Sequence, residues 1–132
     1  MILIVNQLSI FVENSPGKIG RISEILYAGG IKIEAMMITD AGEFGIIKLV
    51  LDNSEKAKAQ LVKNGFTVSQ TDVIIIKKEK AAPYDVFILT EALKKSNINV
   101  QYAYGFISEE TFIVFKTSDQ KKALKILQNV CN

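Results

Sequence analysis

Apolar Leu8, Ile10 and Val12 alternate with Gln7, Ser9 and Phe11, a period of two that predicts a strand. Beyond Pro16-Gly17 the spacing changes. Ile19, Ile22, Ile25 and Leu26 recur at helical intervals with Arg21, Ser23 and Glu24 on the other side, and Gly29-Gly30 ends the helix. Residues 31–39 and 44–51 are β-branched and apolar on either side of "DAGE", which predicts a hairpin. Asp52 with Glu55 reads as the acidic cap of a second helix that carries Ala57 and Leu61 and stops at Gly65, and residues 66–69 offer a short closing strand. The order then restarts: Val73 to Ile76 predicts a strand, and Val86, Leu89, Ala92 and Leu93 a helix. "NINVQYAYGFI" and "TFIVFK" predict two strands, and Ala123, Leu124, Leu127 and Val130 a last helix.

Displaced by roughly 66 to 67 positions, the second half overlays the first. Ile31, Lys32 and Ile33 fall on Ile98, Asn99 and Val100, Pro16 falls on Pro83, and "SDQKKA" opens its helix as "NSEKAKA" does. The chain therefore reads as α+β, two ferredoxin-like βαββαβ units, each an antiparallel sheet with both helices on one face. The expected division is residues 1–70 and 71–132. The second copy stops after its second helix, so its closing strand is missing or comes from elsewhere. The apolar start of the chain is one candidate donor.

With 132 residues and 48% hydrophobic content, the chain can bury a core. Sixteen basic against 14 acidic residues leave a net charge of +2, interspersed along the chain, which gives no case for nucleic acid or a membrane surface as partner. Lys77, Lys78 and Lys80, interrupted by Glu79, read as a solvated strand end. Cys131 is the single cysteine, so an intrachain disulfide and a Cys-rich metal site are excluded and a reducing cytoplasm fits. "MILIV" reads as the start of a strand rather than a signal peptide, and no apolar run approaches the length that crosses a bilayer. A soluble, cytoplasmic chain is expected.

Without histidine the chain lacks the usual general base, the commonest nitrogen metal ligand and any Cys-His pair. "GKIG" lacks the rest of a phosphate loop, and "GGIKIE" does not match GxGxxG. Glu109 and Glu110 in "SEET" read as solvated turn residues. Arg21 is the only arginine and lies in a helix, which argues against a phosphate-clamping enzyme of the acylphosphatase kind. The expectation is a protein that is not an enzyme, with no catalytic residues, no metal and no cofactor.

One turn carries chemistry. In "VENSPGKIGRISEIL" the helix start presents backbone N–H groups without intrahelical partners, at the positive end of the helix dipole, and these bind an anion readily. Gly17 lets the backbone approach a ligand, Pro16 fixes φ where the helix begins, and the Asn14 side-chain carbonyl can accept from an ammonium. A carboxylate beside an ammonium describes an amino acid. The alternative is purely structural, with Asn14 or Ser15 capping the helix and Pro-Gly forming a tight entry.

"SIFVENSPGKIGRISEILYAGGIKIEAM" resembles the start of an ACT domain: a hydrophobic strand, Asp/Asn-x-Pro-Gly-x-Leu/Ile, a helix, then Gly-Ile-Asn-Ile. The matching positions are Asn14, Pro16, Gly17 and Ile19, then Gly30, Ile31, Lys32 and Ile33. The resemblance covers nearly all of the chain as two copies, strong in the first and weak in the second, and is closest in kind to small free-standing tandem ACT proteins. It implies a regulatory module that binds a free amino acid at an interface between two ACT units. Asn14 and the amides of Gly17, Lys18, Ile19 and Gly20 would hold the ligand, with Ile31, Ile33 and Asn99 closing the site. Lys18 is either a solvated helix-start charge or an aid to carboxylate binding.

The second copy departs from the pattern. Ala81 or Ala82 stands near the Asn position and Tyr84 replaces Gly17, whereas Asn99 keeps the residue that Lys32 replaces in the first copy. If copies pair turn against Ile-Asn-Ile segment, one intact site per chain is implied. The second helix persists without the amide and the glycine, which implies a ligand as the reason for Asn14 and Gly17. Unpaired sheet edges in such small units lead us to expect a homodimer, and a metabolic enzyme is a possible partner. The competing reading is an oligomerisation or enzyme-docking module without a small-molecule ligand.

Overall fold

The computed structural model describes residues 1–13, 15–81 and 85–130. In order the elements are β1 (Ile2–Glu13), α1 (Lys18–Ala28), β2 (Ile33–Ala41), β3 (Phe44–Leu51), α2 (Ser54–Lys63), β4 (Thr67–Lys78), α3 (Asp85–Lys95), β5 (Val100–Ile107), β6 (Thr111–Thr117) and α4 (Gln120–Val130). They form two compact units that are not consecutive in sequence. Asn6–Thr71 makes the first, and Met1–Val5 together with Asp72–Asn132 makes the second.

In the first unit the strands run β2-β3-β1-β4, with β3 antiparallel to both β1 and β2. Leu8 sits opposite Leu49 and Ile10 opposite Ile47, so the alternating apolar residues of both strands share one face. On that face α1 lays Ile22, Ile25 and Leu26, and α2 lays Ala57 and Leu61, and together they close a buried core. Phe66 and Val68, leading into and within β4, pack against it. Ile19 shares the helical spacing of the core residues, yet it lies in the first turn of α1 and remains 45% exposed.

The second unit repeats the plan as β5-β6-β4-β1. Ile74, Ile76, Ile113 and Phe115 face Leu89, Leu93, Ala123 and Leu127 from α3 and α4. Its closing strand is the start of the chain. Ile2 and Ile4 pack against this core, and Gln128 donates through Nε2 to the Ile2 carbonyl at 3.2 Å. Met1 and Lys77 exchange backbone bonds, Met1 N to Lys77 O at 2.6 Å and Lys77 N to Met1 O at 2.8 Å, the pattern of an antiparallel hydrogen-bonded pair.

Two strands are therefore longer than the hydrophobic pattern predicts. β1 covers 12 residues, and β4 is one unbroken strand where the pattern suggests two pieces. Ser69, Gln70 and Asp72 interrupt the apolar alternation because they are exposed at the join, where β4 leaves one core and enters the other. The backbone ladder does not need apolar side chains to continue.

The helix termini show the repeat in detail. Gly30 (φ 69°) and Asn97 (φ 58°) take the left-handed conformation after α1 and α3. The next residues, Ile31 and Ile98, donate back to Leu26 O at 2.9 Å and Leu93 O at 3.0 Å, a Schellman closure. At the N-termini of α2 and α4, Asn53 accepts from Lys56 N and Asp119 from Lys122 N, both at 3.1 Å. The predicted Asp52–Glu55 cap is thus corrected: Asn53 is the N-cap of α2. Asp52 is used elsewhere, its Oδ1 accepting from Lys32 N at 3.0 Å while its own N–H donates to Lys32 O at 3.2 Å.

Candidate functional site

The turn before α1 is built from Ser15, Pro16, Gly17 and Lys18. Gly17 has φ 88° and ψ −9°, and Lys18 N reaches back to Ser15 O at a long 3.5 Å. These are the features of an open type II turn, with proline at its second position and a residue at its third that needs positive φ. Gly17 is also the N-cap, and its carbonyl accepts from Arg21 N at 2.9 Å to begin the helix. Two sequence expectations change. Pro16 sets the turn rather than the first helical position, and Ser15 is not the cap. Asn14, the other capping and ligand candidate, lies outside the described residues, as do Ala82, Pro83, Tyr84 and Cys131.

Gly17 consequently has a folding reason of its own. A left-handed φ at a residue with a Cβ costs about 1–2 kcal/mol, so the glycine does not by itself require a ligand. Gly20 is different. It lies within α1, has no positive φ, and a Cβ built there meets nothing within 4 Å. A glycine inside a helix is about 1 kcal/mol worse than alanine, and neither backbone geometry nor packing explains it. Its effect is to leave the backbone of the first turn uncovered.

The charge around this turn is also distinctive. No acid stands in the first turn of α1 and no side chain caps it, among the described residues. By contrast α2 has Asn53 and Glu55, α3 has Asp85 and α4 is capped by Asp119. Lys18 is half-buried, Ile19 exposed. Arg21 is turned away into a surface network, with Nη1 3.3 Å from Glu24 Oε1 and Nη2 donating to Asn64 Oδ1 at 3.1 Å.

Of the remaining candidates, Ile31 is buried in the first core and Ile33 packs against it, so their side chains are committed to folding. Asn99 belongs to the second unit, exposed just before β5. Its backbone is clamped to Ser118, with Asn99 N donating to Ser118 Oγ at 3.0 Å and Ser118 N to Asn99 O at 2.9 Å. The same two-bond clamp joins Lys32 to Asp52 in the first unit, so the side chains of Asn99 and Lys32 mark one position in two repeats.

The sequence reading missed a polar cluster in the second unit. Lys78 Nζ lies 2.7 Å from Asp85 Oδ1, and Thr111 donates through Oγ1 to Asp85 Oδ2 at 3.0 Å. Asp85 and Thr111 are buried. The expected solvated strand end is corrected accordingly: Lys78 is ion-paired, and Lys77 places its ammonium 5.5 Å from the centre of the Phe112 ring. The available signal was positional. Lys78 continues the alternating register of Ile74 and Ile76 on the face that carries the helices, with its side chain still 40% exposed.

Two further groups are perturbed. Burial pushes the Lys48 ammonium below its ordinary value, and it stands 3.5 Å from Ser9 Oγ. Burial, and then the neighbouring Tyr102, push the Tyr104 phenol well above its ordinary value, the two rings stacking at 6.4 Å. Among the described residues no group of three or more His, Cys, Asp or Glu could hold a metal ion, and no helix is long and apolar enough to cross a membrane.

A family model described as an ACT domain pair matches residues 3–131. No match was found among curated proteins. Among solved structures, protein BT0572 from Bacteroides thetaiotaomicron is 28% identical, with a TM-score of 0.89 over 97% of this chain and 89% of that one. The ligand-free regulatory subunit of aspartate kinase from Thermus thermophilus shares the fold at 12% identity and a TM-score of 0.72, over 99% and 97% of the two chains. The aspartate kinase of Clostridium acetobutylicum matches 99% of this chain with 34% of its own, at 19% identity and a TM-score of 0.60.

Proposed function

The chain belongs to the ACT domain family as an ACT domain pair, and on that premise we propose that it is a non-catalytic regulatory module whose first unit binds a free amino acid at the start of α1. The observation that carries the reading is the bareness of that helix start. Gly20 has no structural reason to be glycine, and no acid or side-chain cap occupies the positive pole among the described residues. A ligand carboxylate placed there would accept from the amides of Lys18, Ile19 and Gly20 and be favoured by the helix dipole. The exposed side chain of Ile19 supplies apolar contact beside them. In this reading Asn14 accepts from the ligand ammonium, and the amide of Asn99 closes a site at an interface between ACT units, of this chain or of a second copy. The edge strands β2 and β5 make a homodimer the expected assembly. The regulatory subunit of aspartate kinase among its fold neighbours supports a metabolic enzyme as downstream partner.

The test is a thermal-shift screen of the wild-type chain against the proteinogenic amino acids, repeated on Gly20→Ala. One amino acid is expected to raise the melting temperature, since ligand at about 100 times its Kd adds roughly 2.7 kcal/mol. Gly20→Ala should melt higher without ligand and respond less to it. A response undiminished in Gly20→Ala places the site elsewhere.

One observation favours a docking role without a ligand. On α3, Phe87 and Ile88 are 59% and 48% exposed, an apolar outer face that α1 lacks where Arg21 takes the place of Ile88. Failure of every amino acid to stabilise the chain would select this reading.

A further inference from the structure

The second unit fills its own helix start. Asp85 stands in the first turn of α3, and its two carboxylate oxygens engage different partners, Lys78 on Oδ1 and Thr111 on Oδ2. Lys78 and Thr111 face each other across β4 and β6. In the first unit that ladder position is held by Val12 and Gly45, and the first helical residue is Lys18. An anion, a cation and a hydroxyl are therefore present together in one repeat and absent together from the other. Removing any one member takes a partner from the buried Asp85 or Thr111, which costs stability.

We infer that Asp85 and Lys78 form a built-in surrogate for an amino acid. The carboxylate lies where the positive pole of α3 favours an anion, and an ammonium stands beside it. These are the two head groups that a free amino acid brings, here tied to the chain and so present at a high effective concentration. An incoming carboxylate would have to displace Asp85 and strand its charge. The inference rests on the reading of the α1 start as the ligand site and fixes its stoichiometry: one amino acid per chain, held by the first unit, while the second keeps its conformation without ligand.

The decisive measurement is an amide NMR titration of the wild-type chain with the amino acid that gives the largest thermal shift, paired with calorimetry. Saturable shifts are expected at Gly17, Ile19 and Gly20, none at Asp85, Val86 and Phe87, with one ligand per chain. Saturable shifts at residues 85–87, or two ligands per chain, would overturn the surrogate. Should no amino acid bind, the reading of the first unit fails, and the surrogate is judged on Asp85→Ala alone. That variant should melt lower than wild type and regain part of the loss in sodium acetate, but not in sodium chloride of equal ionic strength. Absence of an acetate-specific recovery overturns it. If Asp85→Ala does not fold, Asp85→Asn is compared in urea, where a lowered midpoint is expected and an unchanged one is the contrary result.

Discussion

Gly30 and Asn97 hold the same left-handed backbone at the same place in the two repeats, each one residue before a buried isoleucine. The agreement of φ, 69° and 58°, between different residue types shows that the helix-to-strand connection demands the conformation and tolerates asparagine in it.

Gly30→Ala should cost about 1–2 kcal/mol in urea denaturation, while Gly30→Asn should cost clearly less. A Cβ at Gly30 meets nothing within 4 Å, so the difference isolates backbone strain. Equal costs for the two variants would contradict the assignment.

Placing a charge at Ile4 tests which core the start of the chain serves. Ile4→Asp sets a carboxylate against the second core and should cost on the order of 2 kcal/mol. Hydrogen exchange should accelerate first at Ile113 and Phe115 in β6, with Ile47 and Leu49 in β3 protected longer. Earlier loss at β3 would assign the strand wrongly.

Asn53→Ala and Asp119→Ala should each lower stability by about 1 kcal/mol through loss of the N-cap bond. Asn53→Asp keeps the acceptor and adds a charge favoured by the dipole, so it should be neutral or slightly stabilising at neutral pH and low salt. Circular dichroism during urea titration distinguishes these outcomes.

Alkaline pH should destabilise the chain partly through Tyr104. Its folded-state value is raised, so the neutral phenol is the form the fold accommodates. The contribution is intact below the ordinary tyrosine value near 10 and is lost as pH rises from there toward the folded value. Tyr104→Phe should flatten the fall in melting temperature above pH 10 and leave the profile near neutrality unchanged in slope. An unaltered alkaline decline would show that another group governs it.

Element type was legible in the sequence because the apolar spacing changes cleanly from two to helical at Pro16-Gly17 and again after Gly30. The repeat was legible for the same reason, since Ile31 and Ile98 follow matched helix ends. Strand length was not, because Ser69, Gln70 and Asp72 are exposed and carry no apolar alternation, although the ladder runs through them. The cap of α2 was misassigned by one residue, Asp52 and Asn53 being equally capable acceptors until the Lys32 amide claims one of them. At the candidate site, Gly17 was readable as an open approach to the backbone, but its folding reason was not, and the bareness of Gly20 needed its place inside α1 and its empty surroundings. A positive φ is a property of the folded turn, and the substitution of Tyr84 in the other repeat pointed away from it. The Lys78–Asp85 pair escaped although Lys78 continues the register of Ile74 and Ile76, because register names the face of the strand and not the aspartate seven residues on.

Because the strand that closes the second unit is made before the rest of that unit, synthesis and assembly are out of step. Residues 2–5 leave the ribosome some seventy residues before β4 can pair with them, and at about 5–20 residues per second they wait roughly 4 to 14 s. During that interval the first unit can complete from residues already present, whereas the second needs Leu127 as well as Ile2 before its core closes. The nascent chain thus carries an apolar edge segment whose mate has not yet been translated, and synthesis rate, not only sequence, becomes a variable in its yield.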